Sequence, residues 1–381
     1  MFRKMIIAIA VSCFFLFAQE VYLWEIELEV PEETPADARI FIVGNFNNWS
    51  PADPDRELSK IAQNLYKIDI LTKFEKVEFK FTLGSWAGVE VDENNNNIPN
   101  RREKLREKNK KSYKIRKWNE AQDANSIVGN VSVINDFNMP QLGRKRRIWI
   151  YLPPSYEKSR RRYPVMYMHD GQNLFSDSTS FSGEWGVDEH LEQMIAEKKI
   201  KEIMIVGIEN SEYRLSEYSP FDFEYKGLHE AEADKYAQFI VETLKPFIDK
   251  EYRTKSGRKH TGIAGSSMGG LVSTYIALEY QEVFSKVGAM SSSFRLCLED
   301  ILHYLDLQSK RYSMQFWIDI GSLEGNELEF GISQKPVVDA LKKLGWESEK
   351  ELKYTVYEAA EHHEAYWRAR FADVLEYLWG K

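Results

Sequence analysis

Thr261-Gly262-Ile263-Ala264-Gly265-Ser266-Ser267-Met268-Gly269-Gly270 passes from a short apolar run into a serine flanked by glycines, and the amphipathic stretch Leu271 to Tyr280 follows at once. This is the order strand, sharp turn, helix. A serine at the tip of such a turn holds a strained backbone, and side chains two residues to either side would collide with it. Gly265 and Gly269 stand at those two positions. An ordinary Gly/Ser turn would also satisfy the five-letter pattern, so the flanks carry the reading of Ser267 as a nucleophile.

Outward from the elbow, short apolar runs alternate with helical stretches. Ile148 to Leu152, Val165 to Met168, Ile203 to Ile208, Val287 to Met290, Phe316 to Ile320 and Tyr354 to Tyr357 suit a buried sheet. Tyr236, Phe239, Ile240, Leu244, Phe247 and Ile248 share one helical stripe, in which Pro246 predicts a kink or a restart. Such alternation predicts an α/β fold with a doubly wound, mostly parallel sheet, whose ligands lie at the carboxyl ends of its strands. Before it, Val21 to Val30, Ala38 to Val43, Leu65 to Leu71 and Lys76 to Thr82 read as strands with no amphipathic helix between them. The expected organisation is therefore a small all-β, immunoglobulin-like sandwich over 19–118, a polar linker over 119–126 and the α/β domain over 127–381.

A chain of 381 residues fits about two domains, and its 43% hydrophobic content is that of a folded protein. Residues 1–18 read as a secretory signal peptide: Arg3 and Lys4 precede an apolar run from Met5 to Ala18 that is too short to span a bilayer. Its removal predicts a secreted or periplasmic protein with no membrane segment. Cys13 leaves with the signal, and Cys297 then has no partner for an internal disulfide. The formal charge of −8 becomes about −10, which argues against nucleic acid or an anionic membrane as partner. The basic stretch Arg101 to Lys117 is broken by Glu103 and Glu107 and reads as linker and strand edge.

A serine nucleophile needs a histidine to take its proton and an acid to orient that histidine. Where these follow in the order serine, acid, histidine, three of the seven histidines qualify; His303 lies in an expected helix, leaving His362 and His363. The acid is expected after the Phe316 to Ile320 strand. Glu324, in Gly321-Ser322-Leu323-Glu324, is the first choice, with Asp319 and Glu327 as alternatives. For the oxyanion, one N–H is expected from Met268 and the other from Gln172, in the loop His169-Asp170-Gly171-Gln172-Asn173. His169 reads as structural. No His/Cys grouping suggests a metal, and the chemistry calls for no cofactor. Asp92 to Asn97 lacks the glycine and distant glutamate of an EF-hand and reads as a turn.

With these residues in hand, the chain from about Asn130 to Leu378 resembles the esterase D-like family of α/β-hydrolases, which includes feruloyl and acetyl-xylan esterases, siderophore esterases and S-formylglutathione hydrolases. The resemblance rests on Tyr151 to Pro154, Asp170 to Phe175, Gly183 to Gly186, Glu217 to Pro220, Gly265 to Gly270 and His362 to Trp367, in that order. It implies that His362 is the base and Glu324 the acid, a Glu where many relatives have Asp. The front domain is similar to starch- and glycogen-binding modules of the isoamylase N-terminal type, through Gly44 to Trp49, Phe79 to Phe81 and Gly84 to Trp86. That likeness implies sugar contact by Trp49, Lys80 and Trp86, aromatic faces covering sugar C–H surfaces. The same sandwich also serves as a spacer, with the tryptophans packing the sheet. The expected function is a secreted serine carboxylesterase acting on acetyl or feruloyl esters of carbohydrate. The alternatives are a siderophore lactone esterase and a glycan-binding protein with an inert hydrolase domain.

Overall fold

The computed structural model describes residues 21–381 apart from 48, 50, 52, 96–97, 107, 120–125, 181–182, 226–227, 325–330 and 348. The expected signal peptide with Cys13, nearly all of the linker, and Glu327 lie outside the described residues. The chain divides into two units, 1–121 and 122–381.

Alternation of apolar and charged residues builds the first unit. Along β1 (Tyr22–Glu29), Trp24, Ile26 and Leu28 turn inward and the glutamates outward. Further strands are β2 (Ile40–Gly44), β3 (Glu57–Ala62), β4 (Leu65–Thr72), β5 (Lys76–Thr82), β6 (Arg101–Lys104) and β7 (Lys108–Lys114). They hydrogen-bond in the order β6-β5-β2-β3-β4-β1-β7, antiparallel throughout except for β1 beside β7. The strands join in one continuous order, because β3 pairs with β2 through Glu57 and Leu58 and with β4 beyond them. Trp24 packs edge-on against Phe79 at 4.8 Å in the core these strands share. The basic stretch forms the two edge strands, and its cations pair with carboxylates: Lys110 with Glu27, Lys111 with Glu103, Lys114 with Glu29. Asp92 caps a turn, its Oδ1 accepting from the Asn94 N–H at 2.8 Å.

In the second unit eight strands form one mixed sheet: β8 (Asn130–Met139), β9 (Arg144–Leu152), β10 (Val165–His169), β11 (Met204–Ile208), β12 (Thr261–Ser266), β13 (Lys286–Met290), β14 (Gln315–Gly321) and β15 (Leu352–Tyr357). Their order is β8-β9-β11-β10-β12-β13-β14-β15, parallel from β11 onward, with β8 and β9 antiparallel at one edge. The sheet is thus mixed, mostly parallel with an antiparallel edge, and β8 had no apolar run to announce it. Only Met139 of β8 is fully buried, and Asp136 sits in a bulge at φ 54°.

Successive residues face opposite cores. Val165 and Tyr167 of β10 join one cluster with the helices 233–251, α4 (Met268–Glu279), α5 (Leu298–Asp306) and α6 (Gly331–Lys343); Met166 and Met168 join the other with α1 (Val187–Ala196) and α7 (Glu364–Trp379). The stripe around Pro246 is continuous: α2 (Ala233–Gln238) passes through a π-wound turn, Phe239–Leu244, into α3 (Lys245–Glu251). Proline lacks an N–H and cannot complete the regular ladder, so the wider turn absorbs it and the helix neither breaks nor restarts. The expected amphipathic Leu271 to Tyr280 is buried almost all round, and Ser273 and Thr274 turn their hydroxyls onto the Gly269 and Gly270 carbonyls. The order in which successive strands are added reverses between β10 and β12, and in open α/β sheets the carboxyl ends of strands at such a switch are where ligands bind.

Candidate active site

Ser267 stands at the carboxyl end of β12 with φ 56° and ψ −122°, between the last residue of that strand and the first of α4. The turn is pinned on both sides. Its N–H donates to the Met290 carbonyl at 2.9 Å, and its own carbonyl accepts from Gly270 and Ser293 at 3.1 and 3.0 Å. A Cβ on Gly265 would lie 2.8 Å from the Gly269 carbonyl carbon, so the turn closes only with hydrogen at that position.

Ser267 Oγ lies 2.9 Å from His362 Nε2, and His362 Nδ1 lies 2.9 Å from Glu324 Oε2. The structure therefore brings together the serine, the histidine and the glutamate singled out in sequence. His363 does something else: its Nδ1 accepts from the Ala365 N–H at 3.2 Å and caps α7. His303 is exposed on α5. Asp319 lies buried in β14, accepting from Trp317 Nε1 at 2.7 Å and pairing with Arg370 at 3.0 Å, and Glu324 occupies the place beside the imidazole.

Glu324 reaches His362 because the chain turns immediately after β14. Its free oxygen, Oε1, accepts from the Gly321 N–H at 2.7 Å and from Ser291 Oγ at 2.5 Å. Burial works to raise this carboxyl, but hydrogen bonds from His362, Ser291 and Gly321 and the charge on His362 hold it below its ordinary value. Trp367 packs edge-on against the His362 ring at 5.0 Å and donates its Nε1 to Ser291 Oγ at 2.9 Å.

The loop after β10 likewise starts at a carboxyl end of the sheet. Its helical turn starts with the Asn173 N–H bonded to the Asp170 carbonyl at 2.9 Å, so the Gly171 and Gln172 N–H groups precede the turn's own bonding. Met268, as the first residue of α4, likewise has an N–H with no acceptor within its helix. Asp170 holds the loop in a left-handed conformation, φ 57°, and receives Arg214 bidentately at 2.7 and 2.8 Å. Gly171 lets the loop lie against the sheet, since a Cβ there would stand 2.8 Å from the Gly207 carbonyl carbon. His169 is buried, its Nδ1 3.0 Å from the Tyr236 hydroxyl, and burial pushes the imidazole down to about 3.

In the first unit, the Trp49 and Trp86 rings lie half-buried side by side, 6.3 Å apart and tilted by 32°, outside the core cluster. Lys80 is nearly buried, and burial lowers its ammonium against the opposing charge of Glu90.

Sequence reasoning missed Ser291, Ser293 and Arg370. Ser293 Oγ lies 3.0 Å from Ser267 Oγ, and Arg370 is buried beside Glu324. A signal existed for Arg370: it interrupts the apolar stripe Trp367, Phe371, Val374, Leu375 and Leu378 of α7.

Comparison with known proteins gives this geometry its context. The family model described as "Putative esterase" matches residues 139–378. YbbA of Bacillus subtilis (strain 168) is 30% identical over 253 residues, 62% of this chain and 93% of YbbA. An endo-1,4-beta-xylanase/feruloyl esterase of Xylanibacter ruminicola is 28% identical over 228 residues, 58% of this chain and 28% of that protein. This chain therefore spans well under half the length of the second relative. Among solved structures, the enterobactin esterase Fes of Shigella flexneri shares the fold with a TM-score of 0.56 at 14% identity, over 94% of this chain and 92% of that one. By its match over 139–378, the chain belongs to this esterase family and is a carboxylic ester hydrolase.

Proposed function

We propose that Ser267, His362 and Glu324 form the catalytic triad of a secreted serine esterase that removes acetyl or feruloyl groups from carbohydrate. The observation that carries the triad is the unbroken hydrogen-bonded chain from Ser267 Oγ through His362 to Glu324, with both links at 2.9 Å. Ser267 Oγ attacks the ester carbonyl while His362 Nε2 takes its proton. Glu324 fixes the ring by accepting from Nδ1 and stabilises the imidazolium that forms. The Met268 and Gln172 N–H groups receive the oxyanion. Collapse returns the proton from His362 to the leaving alcohol and leaves an acyl-serine. Water, deprotonated by His362, then releases the acid, and no cofactor takes part.

The substrate class follows the xylanase/feruloyl esterase, a relative by sequence, and the sugar-binding resemblance of the first unit, where Trp49, Trp86 and Lys80 are proposed to contact glucan. A siderophore lactone is the second reading, favoured by the likeness to an enterobactin esterase over both units, which is a likeness of fold. Comparing kcat/KM on acetylated xylan oligosaccharides, feruloylated arabinose and a catecholate trilactone decides between them. The carbohydrate reading predicts the highest value on one of the sugar esters; preference for the trilactone replaces it with the second.

A further inference from the structure

Arg370 Nη2 lies 3.0 Å from Asp319 Oδ1, 3.2 Å from Glu324 Oε1 and 2.5 Å from Ser291 Oγ. Every polar contact of the guanidinium runs through this one nitrogen; Nε and Nη1 have no hydrogen-bond partner among the described residues. The Tyr357 ring lies 5.2 Å from the guanidinium carbon. Asp319 is 0% exposed and Glu324 3%, so one cation stands between two carboxylates out of water. Two such carboxylates repel, and without a cation between them one takes up a proton. Burial pushes Asp319 up to about 6 even with the Arg370 charge pulling the other way.

We propose that Arg370 and Asp319 act as a positioning pair for Glu324: the cation keeps Glu324 charged and aimed at His362, and Asp319 holds the cation in place. This rests on the Ser267–His362–Glu324 reading. The groups that face the pair are Glu324 with His362 beyond it, Tyr357 beneath the guanidinium, and Tyr354, which feels the Asp319 charge. Because one nitrogen makes all the contacts, the position needs a point charge rather than a guanidinium fork.

The pH dependence of kcat/KM on an aryl ester, measured on the full chain, tests the pair. Removing the cation favours the protonated form of the Glu324–His362 couple, so Arg370→Met moves the acid limb to higher pH by about one unit or more. It also lowers kcat/KM about 10- to 100-fold, the scale for partners that orient a working group. Arg370→Lys restores most of both. Asp319→Asn removes an anion and moves the limb to lower pH. Where Arg370→Met leaves Asp319 uncompensated and the chain misfolds, Asp319→Asn, which keeps Arg370 beside Glu324, carries the test through a limb below that of wild type.

If all folded variants keep the wild-type limb and lose only a uniform factor in rate, the pair is merely structural and the proposal is overturned. Glu324→Gln separates the two levels. Wild-type kcat/KM in that variant would sink the triad reading itself, whereas an inactive Glu324→Gln with unmoved limbs in the others sinks only the positioning role.

Discussion

Ser267 holds a left-handed conformation that side chains rarely adopt, at a cost of about 1–3 kcal/mol, and the bonds to Met290, Gly270 and Ser293 keep it there. The serine was legible because its constraints are local: two glycines and two flanking elements. Local pattern left His362 and His363 open, since adjacent residues in a loop differ only in where the backbone aims them, and the resemblance at His362 to Trp367 chose His362. One caps a helix and the other meets the serine. Arg370 was visible as a charge on an apolar stripe, but its partners lie far away in sequence. Another buried carboxyl, Glu364, opens α7, and burial pushes it up to about 8; its own N–H and Arg214 oppose this, and Asp170 adds to it. Its folded value lies above its ordinary 4.5, so its contribution to stability is full below that value and is lost as pH rises through about 8. Glu364→Gln should therefore raise the thermal midpoint relative to wild type at pH 9, with the advantage vanishing toward pH 5. An equal difference at both pH values would refute this.

At the scale of elements, the path from β12 through the elbow to α4 sets where the chemistry happens. Its helix is buried on nearly every side, so the turn cannot relax outward. Gly265→Ala forces a methyl group against the Gly269 backbone and should cost about 1–3 kcal/mol. Urea unfolding should report that loss together with a fall in kcat, and unchanged values for both would show that the turn tolerates a side chain. The central strands were readable because burial on both faces demands continuous apolar runs. An exposed edge strand has no such demand, and β8 was missed for that reason. The π-wound turn at Phe239–Leu244 lay beyond the pattern too: sequence shows that Pro246 disturbs the ladder, and packing decides how.

For the whole molecule, the division into two units was legible as a switch from a strand period to alternating strands and helices. Every proposed catalytic residue belongs to the second unit, which has core clusters of its own. A chain lacking 19–118 should hydrolyse a small aryl ester within about twofold of the full chain, since a site carried by one domain does not need the other. It should also lose retention on insoluble starch, as should Trp49→Ala with Trp86→Ala in the full chain. Failure of the intact protein to bind starch would return the first unit to a spacer. What the sequence could not show is the order of the first unit's strands, because a short strand such as β3 can pair on either side. The central claim concerns Ser267, and mass mapping of the protein after a fluorophosphonate or slow aryl ester tests it most directly. The account predicts a single covalent adduct on Ser267, with both adduct and turnover abolished in Ser267→Ala; turnover by that variant, or an adduct on another residue, would contradict it.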